Sequence, residues 1–174
     1  MTDLGTFERH GDNIDLRYER RYPRPIETVW AALTDPVRLA DWMGAALVEP
    51  RVGGRYELFT ERARPMTGRI VTWEPPALLE FSWDTGDGPA SMVRCELTPD
   101  GDGTKLIFIH KGVGFEWSAL VLPGWHTHLE RLENLLAGHA QPMSMPRWRE
   151  LQAIYLQRYG LDGAMTDPPA GHCD

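Results

Sequence analysis

The chain has 174 residues and a net charge of −7, from 18 basic and 25 acidic side chains. That length suggests one domain able to bury roughly 70% of the surface its unfolded chain exposes, so neither disulfides nor a structural metal is required for stability. The acidic balance and the lack of a basic run argue against nucleic acid as a partner, and no apolar stretch approaches the ~20 residues of a membrane span.

The first residues, 1–13, are polar and lack the apolar core of a signal peptide. Cys95 and Cys173 lie far apart, with neither a CxxC nor a zinc-finger spacing. The expectation is a cytoplasmic protein with reduced thiols.

Residues 14–22 alternate apolar and polar through Ile14, Leu16 and Tyr18, the pattern of a half-buried strand. Pro25 opens a helix over 25–33, in the first turn, where its missing N–H costs nothing. Asp35-Pro36 ends it and starts a second short helix over 36–42. Gly53-Gly54 then marks a hairpin turn, and further strands follow at 68–73, 78–83, 91–98 and 104–110. Pro75-Pro76, Asp87-Gly88-Pro89 and 100–103 supply the turns between them.

Strand signals stop near Gly114. Residues 122–138 carry a helical pattern with Trp125, Leu129, Leu132, Leu135 and Leu136 on one face. His126, Glu130, Glu133 and Asn134 fall on the other, which predicts that His126 and Glu130 form a solvated pair. A linker over 139–146 leads to a second amphipathic helix over 147–159, in which Trp148, Leu151, Tyr155 and Tyr159 form an aromatic stripe. That stripe needs a cover. Ile107 and Ile109, on the sheet face away from the long helix, offer a matching surface, and docking across a two-fold axis would make a homodimer. From about residue 161 the composition predicts a disordered tail.

The order is strand, two short helices, a run of antiparallel strands, then a long helix. It predicts an α+β fold, with a curved antiparallel sheet of about six to seven strands wrapped on that helix. The domain is expected over 12–140, the linker and extra helix over 141–160, and the tail over 161–174.

Several segments carry a family resemblance: YPRPIETVWAALTDPVRLADWM at 22–43, VGGRYEL at 52–58, GRIVTWEPPALLEFSW at 68–83, GTKLIFIH at 103–110 and PGWHTHLERLENLLAG at 123–138. Together they resemble the START-like (SRPBCC, birch-allergen) superfamily, in the branch named for the activator of heat-shock protein 90 ATPase homologue. The resemblance implies a helix-grip fold with a cavity between sheet and long helix. It also implies a hydrophobic ligand of lipid, polyketide or aromatic type, as in polyketide cyclase-like members, held without metal, nucleotide or other cofactor. The name-giving eukaryotic activator carries a further chaperone-directed domain, which finds no counterpart here, so that activity is not carried over.

Strand residues Leu106, Phe108 and His110 share one face, as do Val93, Cys95 and Leu97. By the resemblance these faces, with Trp83, Phe81 and Tyr56, look toward the long helix, where Trp125, His128, Leu129 and Leu132 would meet them; Trp117 would complete the wall. These residues, apart from Leu97 and Leu106, are the candidate ligand contacts. His110 and His128 could hydrogen-bond a ligand oxygen or move a proton near neutral pH. The alternatives to a pure binding protein are therefore a cyclase- or aromatase-type enzyme using one of these histidines, or a protein-interaction domain whose interior is filled. No nucleophile motif or metal spacing is present in the sequence, and no catalytic residue is assigned.

Overall fold

The computed structural model describes residues 3–59, 64–86 and 88–168. An N-terminal hairpin, β1 (Thr6–His10) and β2 (Asn13–Tyr22), is followed by helices α1 (Ile26–Thr34) and α2 (Pro36–Ala40). Next come strands β3 (Ala45–Val48), β4 (Tyr56–Phe59), β5 (Ile70–Glu74), β6 (Leu78–Trp83), β7 (Ser91–Asp100) and β8 (Gly103–Gly114). A 3-10 turn (Phe115–Trp117) leads into α3 (Ser118–Leu136), and α4 (Met145–Tyr159) closes the chain.

Six antiparallel strands form one sheet in the order β1-β2-β8-β7-β6-β5. The β3–β4 hairpin extends its curve, because β4 bridges to the approach of β5 at Arg55–Arg69 and Leu58–Met66. The alternation in β2 puts Ile14, Leu16, Tyr18, Arg20 and Tyr22 on the concave face, beneath α3. Strand β1 lies in the N-terminal stretch read as polar. Its only half-buried residue is Phe7, so the alternation that reveals a strand is missing, and edge pairing with β2 makes it one.

Helix α2 begins as predicted, with the Asp35 carboxylate accepting from Val37 N–H at 2.9 Å and Pro36 in the first turn. Helix α3 begins earlier than expected, at Ser118 rather than residue 122. Pro123 reads as a helix start but lies inside. A proline cannot bond to the carbonyl four residues back, and that carbonyl, Ala119 O, instead accepts from Gln152 Nε2 of α4 at 3.0 Å.

Helix α4 departs most from expectation. Its stripe is as predicted, with Leu151 and Tyr155 buried and Trp148 and Tyr159 half-buried, but it packs on α3 and the N-terminal segment rather than on the outer sheet face. The Tyr155 hydroxyl accepts from Gly5 N–H at 2.7 Å, and the Tyr159 hydroxyl donates to Gly5 O at 2.8 Å. The stripe is covered within the chain, so it gives no argument for a dimer.

Ile107 and Ile109 are only half-buried. In register they lie between Glu19 and Glu96, and between Arg17 and Arg94. Ion pairs Arg17–Glu19 at 3.2 Å and Arg94–Glu96 at 2.6 Å span that outer face. The isoleucines therefore stand among charged neighbours rather than in a continuous apolar patch, which removes the argument for a partner there.

The same packing corrects the reading of His126. It is 1% exposed, with Nδ1 2.9 Å from the Tyr155 hydroxyl, because α4 covers the α3 face assigned to solvent. Glu130, 3.5 Å from His126 Nε2, is held by a two-nitrogen contact from Arg147 at 2.6 and 3.1 Å.

Residues 161–168, expected to be disordered, run back along the domain. Leu161 is buried, Met165 N–H donates to Glu116 O at 2.7 Å, and Gln152 Nε2 donates to Thr166 O at 2.8 Å. Cys173 and the rest of the predicted tail lie outside the described residues. No helix among the described residues is long and apolar enough to cross a membrane.

Candidate functional site

The space between the concave sheet and α3 is lined by Leu33, Trp42, Met43, Tyr56, Leu58 and Leu79, with Phe81, Trp83, Val93, Cys95, Phe108 and Trp125 completing the wall. Side chains fill nearly all of it. The free volume is about 10 Å³, room for about one water. Tyr56 stacks on Phe81 at 3.9 Å, and Trp125 packs against Phe108 at 4.3 Å and Trp83 at 5.0 Å.

The polar ends of these rings are engaged elsewhere. Trp42 Nε1 donates to Ala32 O at 2.9 Å and the Tyr56 hydroxyl to Leu33 O at 2.8 Å. Both carbonyls belong to the last turn of α1, where no helical N–H follows to take them. The rings therefore turn their faces to the space while their donors finish a helix.

His110 is 3% exposed and fully occupied. Trp125 Nε1–H donates to its Nδ1 at 2.9 Å, which places the imidazole proton on Nε2. That Nε2–H meets Ser91 Oγ at 2.7 Å, and the serine hydroxyl donates onward to Trp83 O at 3.2 Å. Burial lowers the His110 pKa to about 3, so the ring is neutral near pH 7 and does not move protons there. His128 is half-buried, with Nδ1 3.2 Å from Trp42 O. Each histidine packs against the Trp125 indole, at 5.8 and 6.0 Å between centroids.

Of the candidate contacts, Tyr56, Phe81, Trp83, Val93, Cys95, Phe108 and Trp125 line the space. His110 sits behind Trp125. Leu129 and Leu132 are buried in the core but do not reach the free volume, nor does His128, and Trp117 is half-buried in the 3-10 turn outside it. Burial pushes the Cys95 thiol up to about 12, so it packs as a small apolar group.

The contacts read from the sequence omit Leu33, Trp42, Met43, Leu58 and Leu79, all of which line the space. Leu58 and Leu79 were recoverable, because they alternate with Tyr56 and Phe81 on the same strand faces. Leu33 and Met43 come from the helical cap, where nothing but apolarity marks them.

The family described as Activator of Hsp90 ATPase homolog 1-like protein matches residues 23–137, the span from the first helix to the end of α3. The chain belongs to that family. Among solved structures, this family member resembles CalU16 from Micromonospora echinospora, with 28% identity over 88% of this chain and 95% of that one, at a TM-score of 0.75. The protein encoded by gene BPP1335 from Bordetella parapertussis is also 28% identical, covering 90% of this chain and 91% of that one, at a TM-score of 0.69. DynU16, a protein in the dynemicin biosynthetic locus, is 27% identical over 72% of this chain and 48% of that one, at a TM-score of 0.66. No curated protein matches this chain. The match identifies the sheet-and-α3 arrangement as the helix-grip fold of the START-like superfamily.

Proposed function

We propose that this protein captures a hydrophobic small molecule, of lipid, polyketide or aromatic type, between the sheet and α3. The observation that carries this reading is the lining itself. Its twelve side chains are apolar or aromatic, and the hydrogen-bonding ends of Trp42, Tyr56 and Trp125 are held by the protein. A molecule entering meets ring faces and methyl groups, and recognition rests on shape and burial. Family membership, and a related protein in a biosynthetic locus, support the same direction.

With free volume for about one water, entry requires side chains to swing away. Half-buried Trp83, at the end of β6, is the side chain that moves first. Titration of intrinsic tryptophan fluorescence against fatty acids, flavonoids and tetracyclic polyketides tests the reading. A saturable response with a raised melting temperature is expected from one class, and no response from any class overturns it.

The closed interior also favours a second reading, a protein-interaction domain that works through its outer surface. Absence of small-molecule binding together with retained stability would support that alternative. An enzyme of cyclase type would have to rely on His128, since His110 is neutral and fully hydrogen-bonded. A homodimer, if formed, uses a surface other than the α4 stripe, and light scattering on the whole chain reads it directly. A reducing cytoplasmic setting fits the buried free thiol of Cys95.

A further inference from the structure

Arg20 lies on the concave face of β2 between Tyr18 and Tyr22, and is 5% exposed. Its Nη1 donates to the Glu19 carbonyl at 2.8 Å. Nε and Nη2 have no hydrogen-bond partner, and neither has the hydroxyl of Tyr22, which is 2% exposed. These are not scattered remainders. In a guanidinium, Nε–H and the Nη2–H beside it point the same way, and this edge holds both oxygens of a carboxylate. The occupied Nη1 is the nitrogen outside that edge.

The guanidinium carbon stands 5.4 Å from the Tyr18 ring centre. Tyr22 follows two residues later on the same strand face, which brings its hydroxyl to the same end of the gripped space. Burial raises the Tyr22 phenol above its usual range, the Arg20 charge pulls the other way, and the exposed Glu133 carboxylate and the Cys95 thiol push it up further. Tyr18 meets Phe108 edge-on at 6.1 Å between ring centres, and Phe108 lines the apolar space, so the guanidinium lies beside the wall of that space. Among the described residues no carboxylate bonds either free nitrogen of Arg20.

We propose that Arg20 and Tyr22 bind the carboxylate of the ligand, which makes that ligand a hydrophobic organic acid. This rests on the reading that the gripped space takes a hydrophobic molecule, and adds the group that orients it. The apolar part lies among Phe108, Cys95 and Trp125, and the carboxylate takes two N–H donors from Arg20 and one O–H donor from Tyr22.

The test pairs acids with their alcohols: decanoate with 1-decanol, and anthracene-2-carboxylate with 2-(hydroxymethyl)anthracene, each titrated into the whole chain by tryptophan fluorescence. A charge-assisted bidentate contact predicts that the acid of at least one pair binds about tenfold to a hundredfold more tightly. Arg20→Met abolishes the preference, bringing acid and alcohol of each pair to similar affinity; Arg20→Lys keeps part of it, because an ammonium is a point donor. Tyr22→Phe reduces it without abolishing it, and carries the test if Arg20→Met does not fold. Equal binding of acid and alcohol, or a preference that survives Arg20→Met, overturns the carboxylate site while leaving a hydrophobic ligand in place. Failure of all four molecules to bind overturns both readings.

Discussion

Gln152 of α4 donates to the carbonyl of Ala119 in α3, the acceptor that Pro123 leaves without its helical partner. A helix-breaking residue and a tertiary contact thus answer each other. Gln152 also donates to Thr166 O, so one amide joins α3, α4 and the returning chain.

Gln152→Ala is expected to cost about 1–3 kcal/mol in urea melts, because it leaves the buried Ala119 carbonyl unpaired. The informative measurement is a double-mutant cycle with Pro123→Ala. Restoring the N–H at 123 gives Ala119 O its own helical donor, so Gln152→Ala should cost less in that background. Strictly additive effects would mean that Pro123 and Gln152 are independent.

Trp125→Ala should lie toward the upper part of the roughly 3–5 kcal/mol typical of buried aromatics, because little free space exists for neighbours to relax into and because His110 Nδ1 loses its donor. Trp125→Phe separates the two effects, keeping most of the ring and losing only the N–H. A loss below about 1 kcal/mol for the alanine variant would contradict the buried, bonded position described above.

His110 gives a titration prediction. Its folded pKa of about 3 lies below the unfolded value of about 6.5, so its contribution to stability is complete above pH 6.5 and is lost as pH falls toward 3. Nitrogen-15 spectra should show a neutral ring protonated on Nε2 throughout pH 8 to 5. A ring that titrates near 6.5 in the folded protein would refute the buried network.

Glu130 acts over a lower window. Burial alone would raise its carboxyl, but the His126 ring 3.5 Å away and the two hydrogen bonds from Arg147 bring it down to about 2. Its contribution is therefore present above the unfolded value of about 4.3 and disappears as pH falls to about 2. Melting temperatures of Glu130→Gln against pH should fall less steeply than those of the parent chain across that interval, with the two curves parallel above it.

The grip itself was legible because sheet and helix carry strong periods: alternation in β2, β6, β7 and β8, and the leucine stripe of α3. Lining residues on those strands could be read the same way. What escaped reading depended on partners distant in sequence. β1 has no alternation because, apart from Phe7, neither of its faces is covered, and the α3 face bearing His126 looked solvated because its cover, α4, arrives after a linker whose path no local pattern records. His110 looked like a cavity acid–base group because nothing local reveals that Trp125 and Ser91 occupy both its nitrogens. The orphaned edge of Arg20 is invisible in sequence for the same reason: alternation places it inward, but only coordinates show that no carboxylate meets it.

The contact between Gly5 and Tyr155 joins residues 150 positions apart. Synthesis is vectorial, so the amide of Gly5 leaves the ribosome long before the phenol that receives it. Until α4 emerges, the inner flank of the first hairpin, the His126 face of α3 and the carbonyl of Ala119 stay open to water. The last helix therefore acts as a latch on a domain whose sheet and grip helix lie wholly before it in the chain. A nascent chain arrested before residue 145 should bind hydrophobic-surface chaperones that the released protein escapes.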